Sequence, residues 1–285
     1  MAMKIFAFQK PDMDTVLTAI ILGFDFSDQL IISTPEISQE LLERPDIYCI
    51  ECGGSGQLES RNFDHHNTQQ LLPSACAQAY SWKGLNDSRL FELVNYVKWV
   101  DEGLIIPGCD KQVGFYVSNV YSGMLFMYAD SIVDQFYHGA LFLKKIIEKK
   151  INPWKPVPKI SEWQPYVQLK KRQWFQLEKY KSNINFYKTD SGLTFGFLCA
   201  PVPGIHALLR RSGCKISIAA GLTNHNEKMY MTISSNQLSM LDLLPEINKR
   251  EKGWGGPCHG KIIGSPKKGT IMSETNIVDI IIKQF

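Results

Sequence analysis

Asp64, His65 and His66 set a carboxylate and two imidazoles at consecutive positions, just after the glycine-rich stretch of Gly53, Gly54 and Gly56. Buried without partners, each such group would cost several kcal/mol. A divalent cation makes the arrangement favourable, because carboxylate oxygen and imidazole nitrogen together suit Mn²⁺, Fe²⁺, Co²⁺ or Zn²⁺ and need no thiolate. The same residues could equally form a solvated turn, so their company matters. Asp12 and Asp14 follow the apolar run Lys4–Phe8. One carboxylate can cap the helix expected over Thr15–Gly23 by accepting from free backbone N–H groups. The other points elsewhere, and the pair can offer ligands to two neighbouring cations of the kind that serve phosphoryl chemistry. Glu51 follows Ile47–Ile50, and Asp101 lies at the end of the helical pattern Ser88–Glu102. A carboxylate there opposes the helix dipole unless a cation offsets it; surface exposure is the plain alternative.

The elements that would position these groups read as α/β. Lys4–Phe8, Gln29–Ser33 and Ile47–Ile50 are short apolar runs alternating with helical segments, the pattern of a parallel sheet. In such sheets ligands bind beyond the carboxyl ends of the strands. Asp12, Asp14, Glu51 and Asp64 all follow directly on such runs, and gathered at one edge they would repel strongly without cations. Pro73–Trp82 and Ser88–Glu102 read as helices, and Gly123–Lys150 as one long apolar helix before Pro153, Pro156 and Pro158. Ser161–Ser182 interleaves basic residues with Trp163, Tyr166, Trp174, Phe175 and Tyr180. It could stack on a nucleic acid, or be a linking helix with a solvated basic side.

Beyond about residue 183 the pattern changes to hairpins and short helices. Phe186–Tyr187 and Thr194–Cys199 flank the turn signal Asp190-Ser191-Gly192, and Lys215–Leu222 and Lys228–Ser234 flank Thr223–Glu227. Ile205–Arg211 and Leu241–Asn248 read as helices of this smaller lobe. His206 and His225 carry no partner pattern and read as structural or surface residues. In the stretch Gly253–Ser265, Gly255 and Gly256 would let backbone N–H groups approach a phosphate, with His259 and Lys261 adding charge or hydrogen bonds. A connecting turn is the alternative.

With 285 residues, 44% hydrophobic and 21% charged, the chain reads as a soluble globular protein large enough for two cores. No apolar run approaches the roughly 18–20 residues that span a bilayer. The N-terminus lacks a signal core and enters a strand, so no membrane association and a cytoplasmic location are expected. The seven cysteines are scattered, and Cys49 and Cys52 have CxxC spacing without a second pair, which favours reduced structural thiols over zinc or redox chemistry. A net charge of +3 suits an anionic substrate and does not by itself argue for nucleic-acid binding.

Taken in order, Pro11-Asp12-Met13-Asp14, Glu51 before the glycine turn, Asp64-His65-His66 and the helix-borne Asp101 resemble the four motifs of the DHH phosphoesterase superfamily. The stretch around His259 and Gly264 is similar to the glycine–histidine loop of the DHHA1 domain that commonly accompanies it. The resemblance implies an N-terminal parallel-sheet DHH-type domain over residues 1–122, a helical linker over 123–182, and a smaller C-terminal α/β DHHA1-type domain over 183–285. The lobes would be joined by a long helix, with the active site in the cleft between them. Asp12, Asp14, Glu51, Asp64, His65 and Asp101 would be metal ligands, with Asp64 and His66 catalytic and His66 facing the scissile phosphate. Gly255, Gly256, His259 and Lys261 would bind substrate. The implied cofactor is Mn²⁺, with Mg²⁺ or Co²⁺ as alternatives, as one or two ions. The implied partner is a small phosphorylated substrate, including short RNA or DNA or a cyclic dinucleotide, and the long apolar helix could serve a homodimer.

Several positions depart from the family pattern, among them Pro257 and Cys258 in place of expected glycines. Phe8 stands where the first motif opens with a histidine, Glu51 is one methylene longer than the usual aspartate, and Ser234-Ser235 replaces an arginine before a serine. Three functions therefore stay open: a metal-dependent phosphoester hydrolase, a polyphosphate or pyrophosphate hydrolase, and a nucleotide-binding protein without turnover.

Overall fold

The computed structural model describes residues 3–33, 39–54, 56–66, 72–104, 115–222, 229–257, 259–266 and 268–285. The chain divides into two compact units, Met1–Lys171 and Arg172–Phe285. The boundary falls inside one helix, α7, which runs from Gln164 to Glu178.

In the first unit, strands β1 (Ile5–Phe8), β2 (Gln29–Ile32), β3 (Ile47–Ile50) and β4 (Asn62–Phe63) form a sheet in the order β2-β1-β3-β4. All its pairings are parallel, with Phe8 opposite Ile32 and Ile50, and Ile50 opposite Phe63. Every residue of β1 and β3 is buried, as expected of central parallel strands covered on both faces. Helices α1 (Met13–Ile21), α2 (Gln39–Glu43), α3 (Ala75–Trp82) and α4 (Ser88–Asp101) follow, and α1 packs on α3 and α4. Residues Met13 to Ala19 of α1 are all buried, so this helix runs through the core.

Residues 123–150 are two helices, not one. Helix α5 (Val117–Met127) ends at Tyr128, and α6 (Ile132–Glu148) starts at Ser131, whose hydroxyl accepts from the Asp134 N–H at 3.2 Å. The apolar periodicity continues across the break, but Ser131 offers the backbone a cap that ends it. Helix α6 then packs on α1 within the first core, where Phe136 stacks on Phe8 with ring centroids 4.7 Å apart. At Gly123 a Cβ would lie 2.1 Å from the Tyr166 carbonyl oxygen, so glycine lets α7 approach α5 backbone to backbone. Two lysines of α7 lie over aromatic rings, Lys170 over Phe126 and Lys171 over Phe115, which uses part of the basic–aromatic stretch within the unit.

In the second unit, β5 (Asn185–Lys188), β6 (Thr194–Cys199), β7 (Ile216–Leu222), β8 (Met229–Ser235) and β9 (Ile262–Gly264) form a mixed sheet in chain order. Among the described residues of this second sheet only β6 and β7 pair in parallel, and α8 (Ile205–Arg211) makes that crossover. One face, with Ile216, Ile218, Met231 and Ile233, packs against α9 (Leu244–Arg250) and α10 (Glu274–Gln284) through Ile247, Ile277 and Ile281. The other carries Leu198 against Leu208 and Leu209 of α8. The sequence reading did not include α2, β4, β9 or α10. The α/β class and the parallel first sheet hold. Thr223–Glu227 and His225 lie outside the described residues. Among the described residues no helix is long and apolar enough to cross a membrane.

Candidate metal centre

The strand order places β1 and β3 side by side at the point where the chain turns from one side of the sheet to the other, the crevice where such sheets bind ligands. Asp14 sits in the first turn of α1, which follows β1, Glu51 leaves the end of β3 and His65 the end of β4, while Asp101 comes from the last turn of α4. They converge. His65 Nε2 lies 3.2 Å from Glu51 Oε1, 3.5 Å from Asp101 Oδ2 and 3.8 Å from Asp14 Oδ2. One ligand atom from each of the four lies within 4.8 Å of the others. Glu51, His65 and His66 form a second, overlapping group.

Each member is held by neighbours. Asp14 is 2% exposed, and its two carboxylate oxygens accept from the Ala75 N–H at 2.7 Å and the Cys76 N–H at 2.8 Å. Those amides are the free first donors of α3, whose own N-cap Ser74 makes no side-chain cap bond. Asp14 thus caps a helix far from it in sequence. Glu51 sits at φ 51°, a left-handed conformation that costs roughly 1–2 kcal/mol in a non-glycine residue. Its side chain reaches inward, accepting at Oε2 from the Thr15 hydroxyl at 2.7 Å. Gln78 braces the histidine pair from below, donating to the Asp64 carbonyl at 3.1 Å.

The electrostatics are those of too much negative charge in one place. Burial pushes the Glu51 carboxyl well above its ordinary value, and the neighbouring Asp12 and Asp14 push it further. Burial likewise raises Asp14, against the opposing hydrogen bond from Cys76. Asp101 is pushed up to about 7 by burial and then by Asp14. Three oxygen donors and one imidazole nitrogen, their acids reluctant to ionise together, fit a divalent cation of the Mn²⁺, Co²⁺ or Zn²⁺ type.

Two expected ligands lie outside the four-residue group. Asp12 caps α1, accepting from the Thr15 N–H at 2.9 Å, and reaches the cavity beside the cluster rather than the cluster itself. Asp64 is 2% exposed, and its carboxylate is taken up by the Gly54 N–H at 3.3 Å, the His66 N–H at 2.8 Å and His66 Nδ1 at 3.0 Å. That hydrogen bond raises the His66 pKa. Phe8 is wholly buried in its stack on Phe136, so position 8 belongs to the core and supplies no ligand.

In the second unit, the glycine stretch folds back on β9 through a bridge between Gly255 and Gly264. At Gly256 a Cβ would lie 2.2 Å from the Ile262 carbonyl, whereas at Gly255 it would meet open space. Glycine is thus required at Gly256 by packing, and Gly255 leaves room for a ligand. His259 Nδ1 accepts from the Lys261 N–H at 3.0 Å; Cys258 lies outside the described residues. Cys49 and Cys52 are buried and unbridged, with Cys52 Sγ donating to the Ala7 carbonyl at 3.3 Å, as structural thiols do.

Sequence reasoning missed Thr15, Gln78 and the α3 amides. Thr15 follows the Asp-x-Asp pair immediately, so its type was a usable signal, but a backbone amide leaves no trace in residue identity. A larger cavity of about 720 Å³ lies where α4 begins and α6 ends and contains no member of the acidic group.

No family model and no curated protein matches the sequence. Solved structures match over almost the whole length. A pGpG-specific phosphodiesterase, PggH from Vibrio cholerae, aligns at TM-score 0.61 with 13% identity over 99% of this chain and 98% of that chain. The DHH domain structure of a member of the s1p family of ribosomal proteins aligns at TM-score 0.56 with 12% identity, covering 99% of this chain and 86% of that one. With the motif residues standing at the strand ends and helix end that carry the cluster, the chain has the fold of the DHH superfamily.

Proposed function

We propose that the protein is a divalent-cation-dependent phosphohydrolase that cleaves a phosphoester bond of a small nucleotide or short oligonucleotide. The observation that carries this reading is the convergence of Asp14, Glu51 and Asp101 on His65 at the carboxyl ends of the parallel strands. It is supported by the fold shared with a phosphodiesterase whose name gives a dinucleotide as its substrate. Asp14, Glu51, His65 and Asp101 hold the cation, Mn²⁺ by preference and Mg²⁺ or Co²⁺ otherwise, with Asp12 available to a second ion. Bound there, the cation would lower the pKa of water and offset charge on the phosphoryl group.

The chain's own residues do the aiming. The α3 amides fix both oxygens of Asp14, and Thr15 fixes one oxygen of Glu51, whose extra methylene supplies reach that Phe8 cannot. His66 is oriented by its hydrogen bond to Asp64 and would donate to a phosphoryl oxygen as its charge grows. Gly255, His259 and Lys261 are assigned to holding the substrate in a DHHA1-type second domain. A cytoplasmic location and a homodimer belong to the same reading.

The test is product formation with Mn²⁺ across linear and cyclic dinucleotides, a nucleoside 3′,5′-bisphosphate, short RNA and polyphosphate, with Asp101→Asn in parallel. Turnover of a phosphoester that disappears in the variant is the expected result. One observation favours a second reading, a nucleotide-binding protein without turnover: the buried Phe8 removes a family ligand. Folded protein that binds Mn²⁺ but hydrolyses none of the panel would establish that reading instead.

A further inference from the structure

A cavity of about 310 Å³ opens in the first unit beside the metal cluster, with Asp12, Asp14 and Asp101 along one wall. Facing them on α5 are Ser118 and Ser122, which lie one helical turn apart on one face. The rest of the wall is apolar, formed by Met13, Val97, Val100 and Leu125. Tyr121 also lines it, but its hydroxyl is committed to the Pro11 carbonyl at 2.8 Å and the Asp12 carbonyl at 3.1 Å.

These walls restrict what can fill the space. A cation alone has no use for four aliphatic side chains, and a free anion would meet three carboxylates. A molecule whose phosphate sits on a cation at the acids would extend its remaining part into the apolar portion. That part must have apolar faces and polar edges. Lys170 Nζ donates to Ser122 Oγ at 3.0 Å, so the Ser122 hydroxyl proton is left to donate onward. Ser118 Oγ has no hydrogen-bond partner among the described residues. Two hydroxyl donors set against aliphatic walls match a heterocyclic base, with ring nitrogens or carbonyls at its edge and apolar faces. At the low end of the roughly 300–1,000 Å³ usual for ligand sites, the cavity admits one such group and no chain of them.

We propose that this cavity is the subsite for a single terminal nucleoside, with Ser118 and Ser122 reading the edge of its base. The inference rests on the hydrolase reading for the phosphate at the metal and adds the selection of a base. The experiment is calorimetric titration of the Mn²⁺-loaded full chain with nucleoside 5′-monophosphates, ribose 5-phosphate and inorganic phosphate. The wild type should bind one of the nucleotides at least about tenfold tighter than ribose 5-phosphate, the equivalent of one or two net hydrogen bonds. Ser118→Val and Ser122→Val should each remove much of that preference and leave ribose 5-phosphate and Mn²⁺ binding unchanged. Leu125→Trp, which fills the cavity from its apolar side, should abolish the preference.

Equal binding of nucleotide and ribose 5-phosphate by the wild type overturns the subsite, as does no nucleotide binding at all. Equal weakening of both ligands in the serine variants overturns it too. The hydrolase reading fails separately. Base preference that is lost in the serine variants, without turnover of any phosphoester, would leave the subsite standing and remove the enzyme. Turnover with no discrimination between nucleotide and ribose 5-phosphate would do the reverse.

Discussion

Each unit encloses a histidine among polar partners, and the two settings differ in what they leave over. In the second unit His206 is bonded at both ring nitrogens, Nδ1 to Ser217 Oγ at 2.7 Å and Nε2 to Thr232 Oγ1 at 2.8 Å. Ser217 donates onward to the Ser234 carbonyl at 3.1 Å, so Nδ1 carries the proton and Nε2 accepts from Thr232. Every member has a partner of the right kind. In the first unit His65 Nε2 faces three carboxylates at once, and one ring nitrogen has at most one proton to give. A balanced buried network is architecture. A network with surplus charge suits a cation, and that surplus, more than polarity or burial, singles out the candidate site.

The comparison can be broken in order of size. Asp14→Ala removes a cluster member and the partner of two α3 amides together. Partners one shell out from a metal are worth about 10–100-fold, so loss of Asp14 should lower Mn²⁺-dependent turnover by more than about 100-fold. It should also cost about 0.5–2 kcal/mol of stability, as loss of a helix cap does, read by urea unfolding. In Asp101→Asn the two effects part company. Removing one like charge from the crowded cluster should stabilise the metal-free protein, by about 1 kcal/mol or about 2–4 °C in melting temperature, while the rise in melting temperature on adding Mn²⁺ shrinks.

His206 should behave in the opposite sense. Burial, with Arg210 nearby, pushes its pKa down to about 3, so the folded second unit keeps the imidazole neutral. Its ordinary value of about 6.5 returns on unfolding. Between these values the unfolded chain binds the extra proton, so stability is held above about pH 6.5 and lost as pH falls toward 3. Urea unfolding at pH 7 and pH 4.5 should show this loss in the wild type and much less of it in His206→Leu. That variant should itself be about 1–3 kcal/mol less stable at pH 7, because the buried Ser217 loses its donor. The smallest expected contrast separates the two glycines. Gly256→Ala must displace the Ile262 carbonyl and should destabilise the second unit, whereas Gly255→Ala should fold within about 0.5 kcal/mol of the wild type.

Much of the cluster was legible in the sequence because carboxylates after buried strands are conspicuous. Asp14 and Glu51 stand after apolar runs, His65 stands in the Asp-His-His triplet, and Asp101 stands at the end of a helical pattern. Asp12 and Asp64 have the same signature but accept local hydrogen bonds, from Thr15 and from Gly54 and His66, which sequence spacing does not reveal. The break between α5 and α6 escaped notice because Met and aromatic residues keep their period through Tyr128, although Ser131 and Asp134 carried a capping signal. Strand β4 has two residues and exists through its pairing with β3, a tertiary cause without a local pattern. Helix α10 was readable, since Ser273 and Asn276 form a capping box before Ile277, Ile280 and Ile281.

The bond between Asp14 and the start of α3 ties that helix to the candidate metal centre. A proline is ordinarily welcome at a helix's first position, where the missing N–H has no intrahelical partner. At Ala75 the amide is one of the two that set the direction of Asp14. A change that would be silent in most helices would therefore act here at a distance, on a carboxylate encoded some sixty residues earlier. The candidate metal centre of this chain thus extends into the backbone at the start of a helix.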